Sequence, residues 1–338
     1  MHNAANPAYT ANSAASALRY IDANSVARHL PWPALLQALQ QAFAATDLTT
    51  PVRSHHHMHG LGPTQTPVLL SMPAWSPALG VGVKLVSVYP DNHTRQLPSI
   101  HGLYVLMDAL SGRPQAVLDA GELTARRTAA ASALASRYLS RTDSRTLLMV
   151  GSGRLAQVLP LAHAQVRPIE RVLVWGRAPE KAQASAQALC AQGLHAEAVP
   201  DLRQACAQAD IVSCATLSPT ALLYGDWLRP GTHVDLVGAF TPQMREADDT
   251  LMARASAVWC DTLAGALSEA GDIVQALDSG ALRREQIVGE LAELCRANQA
   301  AARAPGAITV FKSVGAALED LAAARLCLDG LSKQADVT

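Results

Sequence analysis

The amino-acid sequence predicts an α/β protein in which a doubly wound parallel sheet of the Rossmann type follows an N-terminal antiparallel α+β domain. Short β-rich runs separated by Pro and Gly occupy residues 68–119, which is typical of antiparallel strands joined by turns. From residue 145 onward, short apolar runs alternate with helical segments, as in a parallel sheet with crossover helices. An amphipathic helix over residues 313–328 has no strand after it. We expect that helix to cover the second sheet or return to the first domain.

These patterns divide the chain into two predicted domains and a short tail. We expect the first domain to combine residues 17–140 with 313–338, and the second domain to span residues 141–312. Residues 1–16 are rich in Ala, Asn and Ser and lack both a basic start and an apolar run. They predict a disordered, frayed tail rather than a signal peptide.

The first domain is predicted to contain helices and an antiparallel sheet. A helix over residues 33–46 follows proline, and a long alanine-rich helix covers residues 122–140. A turn at residues 111–114 joins two of the β-rich runs into a hairpin. The predicted strands are VLLSM (68–72), LGVGVKLVSV (79–88), HGLYVLMD (101–108) and QAVLDA after the turn.

The second domain is predicted to contain a series of parallel strands. Strands that are buried on both faces form near-continuous apolar runs rather than alternating ones. The predicted strands are RTLLMVG, RVLVWG, ADIVSCAT, GTHVDLVG and ASAVWCD, with helices beginning at residues 154 and 179.

Bulk composition limits the partners of the protein. Its 338 residues are 49% hydrophobic, with 27 basic against 28 acidic side chains. Electrostatics therefore give no reason to expect nucleic acid or an anionic membrane as a partner. No apolar run approaches the roughly 20 residues that a membrane span requires. The six cysteines form no C-x-x-C pair, and we expect reduced thiols in a soluble cytoplasmic protein.

A glycine-rich turn marks the predicted cofactor site. RTLLMV is followed by Gly151, Ser152 and Gly153, and Ala156 completes a G-x-G-x-x-A pattern. Gly151 permits the tight turn, Gly153 lets the backbone approach a pyrophosphate, and Ala156 lets the next helix pack close to the strand. The N–H groups and positive dipole end of that helix would hold the phosphates. Because the turn joins a buried strand to a helix, it predicts a dinucleotide cofactor.

The end of the second strand favours NADPH over NADH. An NAD-binding protein usually has an acid there for the ribose 2′-hydroxyl. This chain instead has Trp175, Gly176 and Arg177, with no acid before Glu180. A guanidinium suits the 2′-phosphate of NADPH. NADH stays open as an alternative, because an arginine at one position can equally be an ordinary solvated residue.

Several motifs resemble those of the ornithine cyclodeaminase/mu-crystallin family. The resemblance runs in order from about residue 50 to residue 328. Its motifs are GVKLV at 82–86, LPS at 97–99, LTARRTAA at 123–130, VGA at 237–239 and TVFKSVG at 309–315. The resemblance implies an N-terminal domain that binds substrate and forms a homodimer, a middle Rossmann domain, and a C-terminal helix that returns to the first domain.

The resemblance also implies roles for individual residues. Arg53, Lys84 and Arg127 match basic residues that hold a substrate carboxylate beside the nicotinamide, and such a set of donors suits a planar anion. Val314 matches a position that lines the substrate pocket. No residue is assigned as a catalytic acid or base. The cofactor contacts predicted from the turn and from the resemblance together are Ser99, Arg127, Gly151, Gly153, Arg154, Leu155, Gly176, Arg177, Thr216, Val234, Val237 and Ser313.

Two acids that the resemblance associates with cyclodeaminases are absent. The first is an aspartate two residues after a Val-Gly pair, where this chain has Phe240. The second is a glutamate just before a Met-Pro step, where the chain has Leu70 or Ser71. A phenylalanine can neither pair strongly with a substrate ammonium group nor carry a proton. It can, however, pack against the apolar ring of a cyclic substrate.

The segment around Phe240 resembles instead the bacterial branch of the family that reduces cyclic ketimines. We therefore expect NADPH-dependent reduction of Δ1-pyrroline-2-carboxylate to proline, of Δ1-piperideine-2-carboxylate to pipecolate, or of both. Two alternatives stay open. One is an ornithine cyclodeaminase, a lyase that recycles bound NAD; the other is a non-enzymatic NADPH-binding protein like some mu-crystallins.

A histidine cluster near the start of the first domain does not predict a metal site. His55, His56, His57 and His59 cannot all face one side of a strand, because successive residues alternate between faces. No acid or cysteine nearby completes a ligand set. We expect an exposed loop and no functional metal.

Overall fold

A computed structural model describes residues 18–335 of the chain. It contains a six-stranded sheet followed by an eight-stranded sheet, so the predicted combination of an antiparallel part and a Rossmann-like parallel part is confirmed. The tail predicted at residues 1–16 lies outside the described residues. Within residues 18–335, no helix is both long enough and apolar enough to cross a membrane.

The first sheet is antiparallel except at one edge. Its strands are β1 (Arg19–Ile21), β2 (Ser54–His57), β3 (Val68–Ser76), β4 (Gly80–Val88), β5 (Ile100–Met107) and β6 (Pro114–Asp119), in the order β1-β6-β5-β4-β3-β2. Only β1 runs parallel to its neighbour, β6. The helices of this part are α1 (Ala23–His29), α2 (Trp32–Ala44) and α3 (Ala120–Leu139).

The second sheet is parallel throughout. Its strands are β7 (Thr146–Val150), β8 (Arg171–Trp175), β9 (Ala196–Ala198), β10 (Ile211–Cys214), β11 (His233–Leu236), β12 (Ala255–Cys260), β13 (Ile287–Glu290) and β14 (Ile308–Lys312). Their order is β13-β12-β14-β11-β10-β7-β8-β9. The helices are α4 (Leu159–His163), α5 (Pro179–Cys190), α6 (Leu202–Gln208), α7 (Asp249–Arg254), α8 (Leu263–Glu269), α9 (Gly271–Asp278), α10 (Leu291–Ala297) and α11 (Ala317–Ala335). We did not predict β9, β13 or β14 from the sequence.

The last helix returns to the first sheet. Strand β14 lies between β11 and β12, so the chain leaves the middle of the parallel sheet just before α11 begins. Helix α11 then packs against α2, α3, β3 and β4. Its residues Leu321, Ala323 and Cys327 are fully buried. The expectation that the C-terminal helix crosses back is therefore confirmed, although the helix begins at Ala317 rather than at residue 313.

Two local predictions were wrong. A continuous helix was expected from residue 154, but a 3₁₀ turn spans Arg154–Gln157 and the α-helix that follows, α4, covers only Leu159–His163. The histidines at 55–57 were expected in a loop, but they form the edge strand β2, all of whose side chains are exposed. The strand pairs with β3, and this pairing over a short edge is a tertiary effect that local sequence does not encode.

Candidate functional site

One edge of the parallel sheet collects most of the predicted cofactor residues. Gly151 directly follows β7, and Val237 and Ser313 directly follow β11 and β14. Thr216 lies two residues beyond β10. Because β7, β10, β11 and β14 are neighbours and parallel, their carboxyl ends meet at the same edge, where doubly wound sheets bind their ligands. The ladder continues beyond the strands, since Val237 N–H donates to the Cys214 carbonyl at 2.8 Å.

The glycine turn has the backbone geometry that its sequence predicts. Gly151 has φ of 118°, and a Cβ atom there would lie 2.6 Å from the carbonyl oxygen of Ala215. A Cβ atom at Gly153 would meet no atom within 4 Å, so its backbone faces open space. Ala156 is buried. Since α4 is so short, a phosphate at this turn would depend on local N–H groups rather than on the dipole of a long helix.

The remaining cofactor candidates differ in their placement. Arg177 is exposed just after β8, and a Cβ atom at Gly176 would lie 2.8 Å from Ser152 Oγ in the glycine turn. Arg154 pairs with Glu122, while Leu155 and Ser99 are half-buried. Val234 is fully buried in the interior of β11. The structure therefore does not bring Val234 to the edge.

Two of the predicted substrate cations are buried together between the sheets. Lys84 of β4 lies 2.7 Å from Asp320, and its ammonium also donates to Thr124 Oγ1 at 3.4 Å. Arg127 of α3 donates from Nε to Asp320 at 3.0 Å and from Nη1 to Glu319 at 2.8 Å. Both cations are at most 4% exposed. They are therefore held by acids of α11, which the sequence analysis had not identified.

Electrostatics act differently on these two cations. Burial, together with repulsion from Arg127, lowers the pKa of Lys84 to about 8, although Asp320 opposes the shift. Burial also disfavours the charge of Arg127, but Asp320 and Glu319 outweigh it and hold the Arg127 pKa above its ordinary value. Arg127 is therefore a permanent cation, and Lys84 is one that can lose its proton in the mildly alkaline range.

The third cation, Arg53, reaches the segment that joins β14 to α11. Its Nη2 donates to the carbonyl oxygens of Val314 and Gly315, each at 2.7 Å, and its Nε lies 3.2 Å from Glu269. Arg127 contacts the same segment, because a Cβ atom at Gly315 would lie 2.7 Å from Arg127 Nη1. Ser313, one of the cofactor candidates, precedes this segment. Arg53 and Arg127 thus converge beside the carboxyl edge of the parallel sheet, which carries most of the predicted cofactor residues and is called the cofactor edge below.

Acidic side chains fix the backbone of the same segment. Asp261, just after β12, accepts hydrogen bonds from the N–H groups of Val314 and Gly315 at 2.8 and 2.6 Å. Glu319 accepts one from Ala316 at 3.0 Å. Burial raises the pKa of both carboxyl groups. A Glu-Asp pair in the otherwise apolar run AALEDLAAA was the signal that could have revealed the acids of α11.

A second buried polar cluster lies behind the cofactor edge. Glu246 Oε1 accepts hydrogen bonds from the N–H and Oγ1 of Thr216 at 2.6 and 2.8 Å. Lys312 donates to the carbonyls of Leu236 and Gly238. Burial is the main cause that raises the pKa of Glu246 to about 7. We did not predict this cluster, whose members come from separate loops and strands.

Phe240 lies in the loop after β11, at the position where the cyclodeaminase pattern has an acid. It is half-buried and packs against the apolar core of the parallel sheet. The neighbouring Ala239 has φ of 51°, and its carbonyl accepts the N–H of Gly271 at 3.1 Å. Among residues 18–335, His, Cys, Asp and Glu side chains form no group of three suited to a metal ion.

The arrangement defines a class of protein. A glycine turn at the carboxyl edge of a parallel sheet, combined with cations that contact the segment after another strand of that edge, is typical of dinucleotide-dependent oxidoreductases acting on small acids. The sequence profile of the ornithine cyclodeaminase/mu-crystallin family matches residues 20–335. The chain belongs to this family.

Individual relatives agree with this assignment. A Delta(1)-pyrroline-2-carboxylate reductase of Paracoccus denitrificans is 41% identical over 92% of this chain and 95% of its own. The Thermococcus litoralis enzyme of the same name, solved with NADH and L-proline, superposes with a TM-score of 0.88 at 28% identity, covering 94% of this chain and 98% of its own. An archaeal alanine dehydrogenase dimer with bound NAD gives 0.85 at 25% identity, covering 94% and 97%. The prediction of an oxidoreductase is confirmed.

Proposed function

We propose that this protein reduces a cyclic ketimine carboxylate with NADPH. The substrate is Δ1-pyrroline-2-carboxylate, giving L-proline, or Δ1-piperideine-2-carboxylate, giving L-pipecolate, or both. The observation that carries the proposal is the convergence of Arg53 and Arg127 on the segment Val314–Gly315, next to the cofactor edge. The names of the reductases from P. denitrificans and T. litoralis support the same substrate class.

The proposed binding roles follow from the placement of the residues. Arg53, Lys84 and Arg127 hold the substrate carboxylate, while Val314 and Phe240 line the apolar part of the pocket. Backbone of the turn at Gly151 and Gly153 holds the pyrophosphate, with Arg154, Leu155, Gly176, Thr216, Val237, Ser313 and Ser99 as further cofactor contacts. NADPH, when bound, supplies a hydride to the imine carbon.

These residues direct the reaction by orientation rather than by acid catalysis. Fixing the planar carboxylate with guanidinium and ammonium donors presents one carbon of the ring to the nicotinamide. When the carbon accepts the hydride, the π electrons of the C=N bond become the lone pair of the nitrogen. An iminium nitrogen already carries its proton, so no strong acid of the protein is required.

The preference for NADPH rests on Arg177. Its side chain is exposed beyond β8, and the preceding Gly176 lies against Ser152 of the glycine turn. From this position, Arg177 would donate charge-assisted hydrogen bonds to a 2′-phosphate. The T. litoralis relative was solved with NADH, so the use of NADH by this chain is the competing possibility. The ratio of kcat/KM for the two cofactors decides between them.

We also propose a homodimer formed through the first sheet. Strand β4 alternates, with Gly80, Gly82 and Lys84 buried beneath the helices and Val81, Val83 and Leu85 on the opposite, partly exposed face. Nearby on that face, Leu103 is 39% exposed and Tyr20 is 70% exposed. An apolar face of this kind suits a second copy of the chain. Light scattering should give twice the chain mass, and Val83→Glu should give a monomer.

We infer a cytoplasmic location from the cysteines. Within residues 18–335 all six thiols are free, and five of them are buried. Unpaired thiols in such number suit a reducing compartment. Oxidation of the purified protein in air, followed by mass spectrometry, should modify Cys190 first, since it is the exposed thiol.

The deciding experiment follows the absorbance of NADPH, and separately of NADH, with Δ1-pyrroline-2-carboxylate and Δ1-piperideine-2-carboxylate. A parallel reaction with ornithine and NAD is assayed for ammonia. We expect oxidation of NADPH by at least one imine and no ammonia from ornithine. Ammonia and proline from ornithine would contradict the interpretation of Phe240. Tight NADPH binding with no turnover of either imine would instead favour a non-enzymatic binding protein.

A further inference from the structure

The acidic first turn of α11 contains one carboxylate that helix capping does not explain. Glu319 and Asp320 are 1% and 0% exposed. Glu319 accepts the N–H of Ala316, as a residue near a helix start commonly does. Within the described chain, Asp320 accepts no backbone hydrogen bond. A buried carboxylate is costly unless it is paired, so the partners of Asp320 account for its presence.

Asp320 is shared by two cations from different parts of the first domain. Its Oδ2 lies 2.7 Å and its Oδ1 3.0 Å from Lys84 Nζ, and Oδ1 also accepts from Arg127 Nε at 3.0 Å. Strand β4, helix α3 and helix α11 therefore meet at this one carboxylate. Because Arg127 also donates from Nη1 to Glu319, its Nη2 is the nitrogen for which the described chain shows no partner.

The charges around Lys84 show what this arrangement maintains. Burial and the positive charges of Arg127 and Arg53 favour the neutral amine, and Asp320 opposes them by charge and by hydrogen bonding. Further described groups around this pair are the hydroxyls of Thr124 and Tyr104, which carry no charge at neutral pH, and the carboxylates of Glu319 and Asp261, which act on Arg127. Without Asp320, little remains to keep a proton on Lys84.

We propose that Asp320 is a positioning residue that keeps Lys84 charged and fixes the Nε edge of Arg127, so that both cations are preorganised for the substrate carboxylate. This inference rests on the proposed function, because it concerns the same residues, Lys84 and Arg127, that are proposed to bind the substrate carboxylate. Asp320 itself acts through Lys84 and Arg127 and contacts neither substrate nor cofactor.

The first test measures the protonation of Lys84 directly. The chain has only four lysines, so ¹³C labelling of the lysine ε-carbons gives a simple NMR spectrum in which Lys84→Arg identifies the signal. In the full-length protein, Asp320→Asn should lower the titration midpoint of Lys84 by at least one pH unit, a tenfold loss of proton affinity. Glu319→Gln is the matched control, because Glu319 pairs with Arg127 but not with Lys84. In this variant, the titration midpoint of Lys84 should stay close to that of the wild type.

The second test uses kinetics. In Asp320→Asn, we expect kcat/KM for the imine at pH 8 to fall at least tenfold, mainly through KM, with the alkaline limb of its pH profile moved to lower pH. NADPH affinity, measured by fluorescence, should change less than twofold, which reports an intact fold. Asp320→Glu should restore part of the loss.

The outcomes separate the two proposals. An unmoved Lys84 midpoint in a folded Asp320→Asn protein would overturn the role of Asp320. A wild-type protein that reduces neither imine would overturn the proposed function, and the Lys84 midpoint would still decide whether Asp320 holds its charge.

Discussion

The two sides of the proposed ligand site, one for the cofactor and one for the substrate, are built in different ways. The cofactor side consists mainly of backbone from neighbouring residues, with Gly151 and Gly153 within one turn. The substrate side consists of charged side chains from distant segments, namely Arg53, Lys84, Arg127 and the acids of α11. The first side depends on the shape of the chain, and the second on balanced charge in a buried place. The two sides should therefore respond differently to substitution.

The largest effect should come from Arg127. Replacing Arg127 by Leu removes a carboxylate donor and leaves Glu319 and Asp320 buried beside an apolar side chain. We expect kcat/KM to fall on the order of 10²–10³-fold and the free energy of unfolding to fall by roughly 3–5 kcal/mol. Steady-state assays and urea denaturation measure the two changes. Arg127→Lys keeps the positive charge but loses the planar guanidinium that can donate two parallel hydrogen bonds. Compared with Arg127→Leu, it should therefore recover more of the stability than of the activity. Loss of activity with an unchanged free energy of unfolding would contradict the claim that the ion pairs of Arg127 with Glu319 and Asp320 contribute to stability.

On the cofactor side, the two glycines should behave differently from each other. Gly153→Ala adds a Cβ atom into open space, so the melting temperature should hardly change while the Kd for NADPH rises about ten- to thirtyfold, or ~1.4–2 kcal/mol. Gly151→Ala forces a side chain onto positive φ and against the Ala215 carbonyl, which should cost roughly 1–3 kcal/mol of stability as well. Calorimetry of binding and of unfolding gives both quantities. Equal effects at the two positions would contradict the proposed close approach at Gly153.

A smaller effect is expected at Arg177, where the cofactor side uses an exposed charge. Arg177→Ala should raise KM for NADPH about tenfold, the loss of one charged hydrogen bond of ~1.5 kcal/mol, and leave KM for NADH nearly unchanged. Raising the salt concentration should weaken NADPH binding by the wild type more than by the variant. If both cofactors respond alike, Arg177 does not recognise the 2′-phosphate.

A further effect should appear as a pH dependence of stability at Glu246. Its pKa rises from 4.5 to about 7 in the folded protein, chiefly through burial, with Lys312 opposing and Asp272 adding to the shift. The folded state therefore holds this proton more strongly than the unfolded chain, and the unfolding free energy should decrease as pH rises from about 4.5 to 7. Glu246→Gln keeps an acceptor for Thr216 and should flatten this decrease. Denaturant midpoints at pH 5 and pH 8 test it, and an unchanged difference in the variant would exclude Glu246 as the source.

The same comparison explains what could be predicted from the sequence. The glycine turn was predictable because its physical requirements fall on consecutive residues. Lys84 was noticeable because a charge interrupts an apolar strand. The partners of these cations were not predictable, since Asp320 is separated from Lys84 by 236 positions in the chain. Local sequence also gave no sign that β14 lies between β11 and β12. Pro160, by contrast, was a local signal that the helix after the turn begins late, because proline favours the first turn of a helix.

Helix α11 has a consequence for the order in which the protein is completed. The strands of the first sheet are synthesised first, but the helix that covers their inner face follows every strand of the second sheet. During synthesis from the N-terminus, the parallel sheet can form completely once β14 has been synthesised. Lys84, however, has its ion-pair partner Asp320 only after α11 has also been synthesised. The half of the molecule that is synthesised first is thus the half that is completed last. Chaperones would meet it as a sheet whose inner face is covered only in part, by α1 and α3.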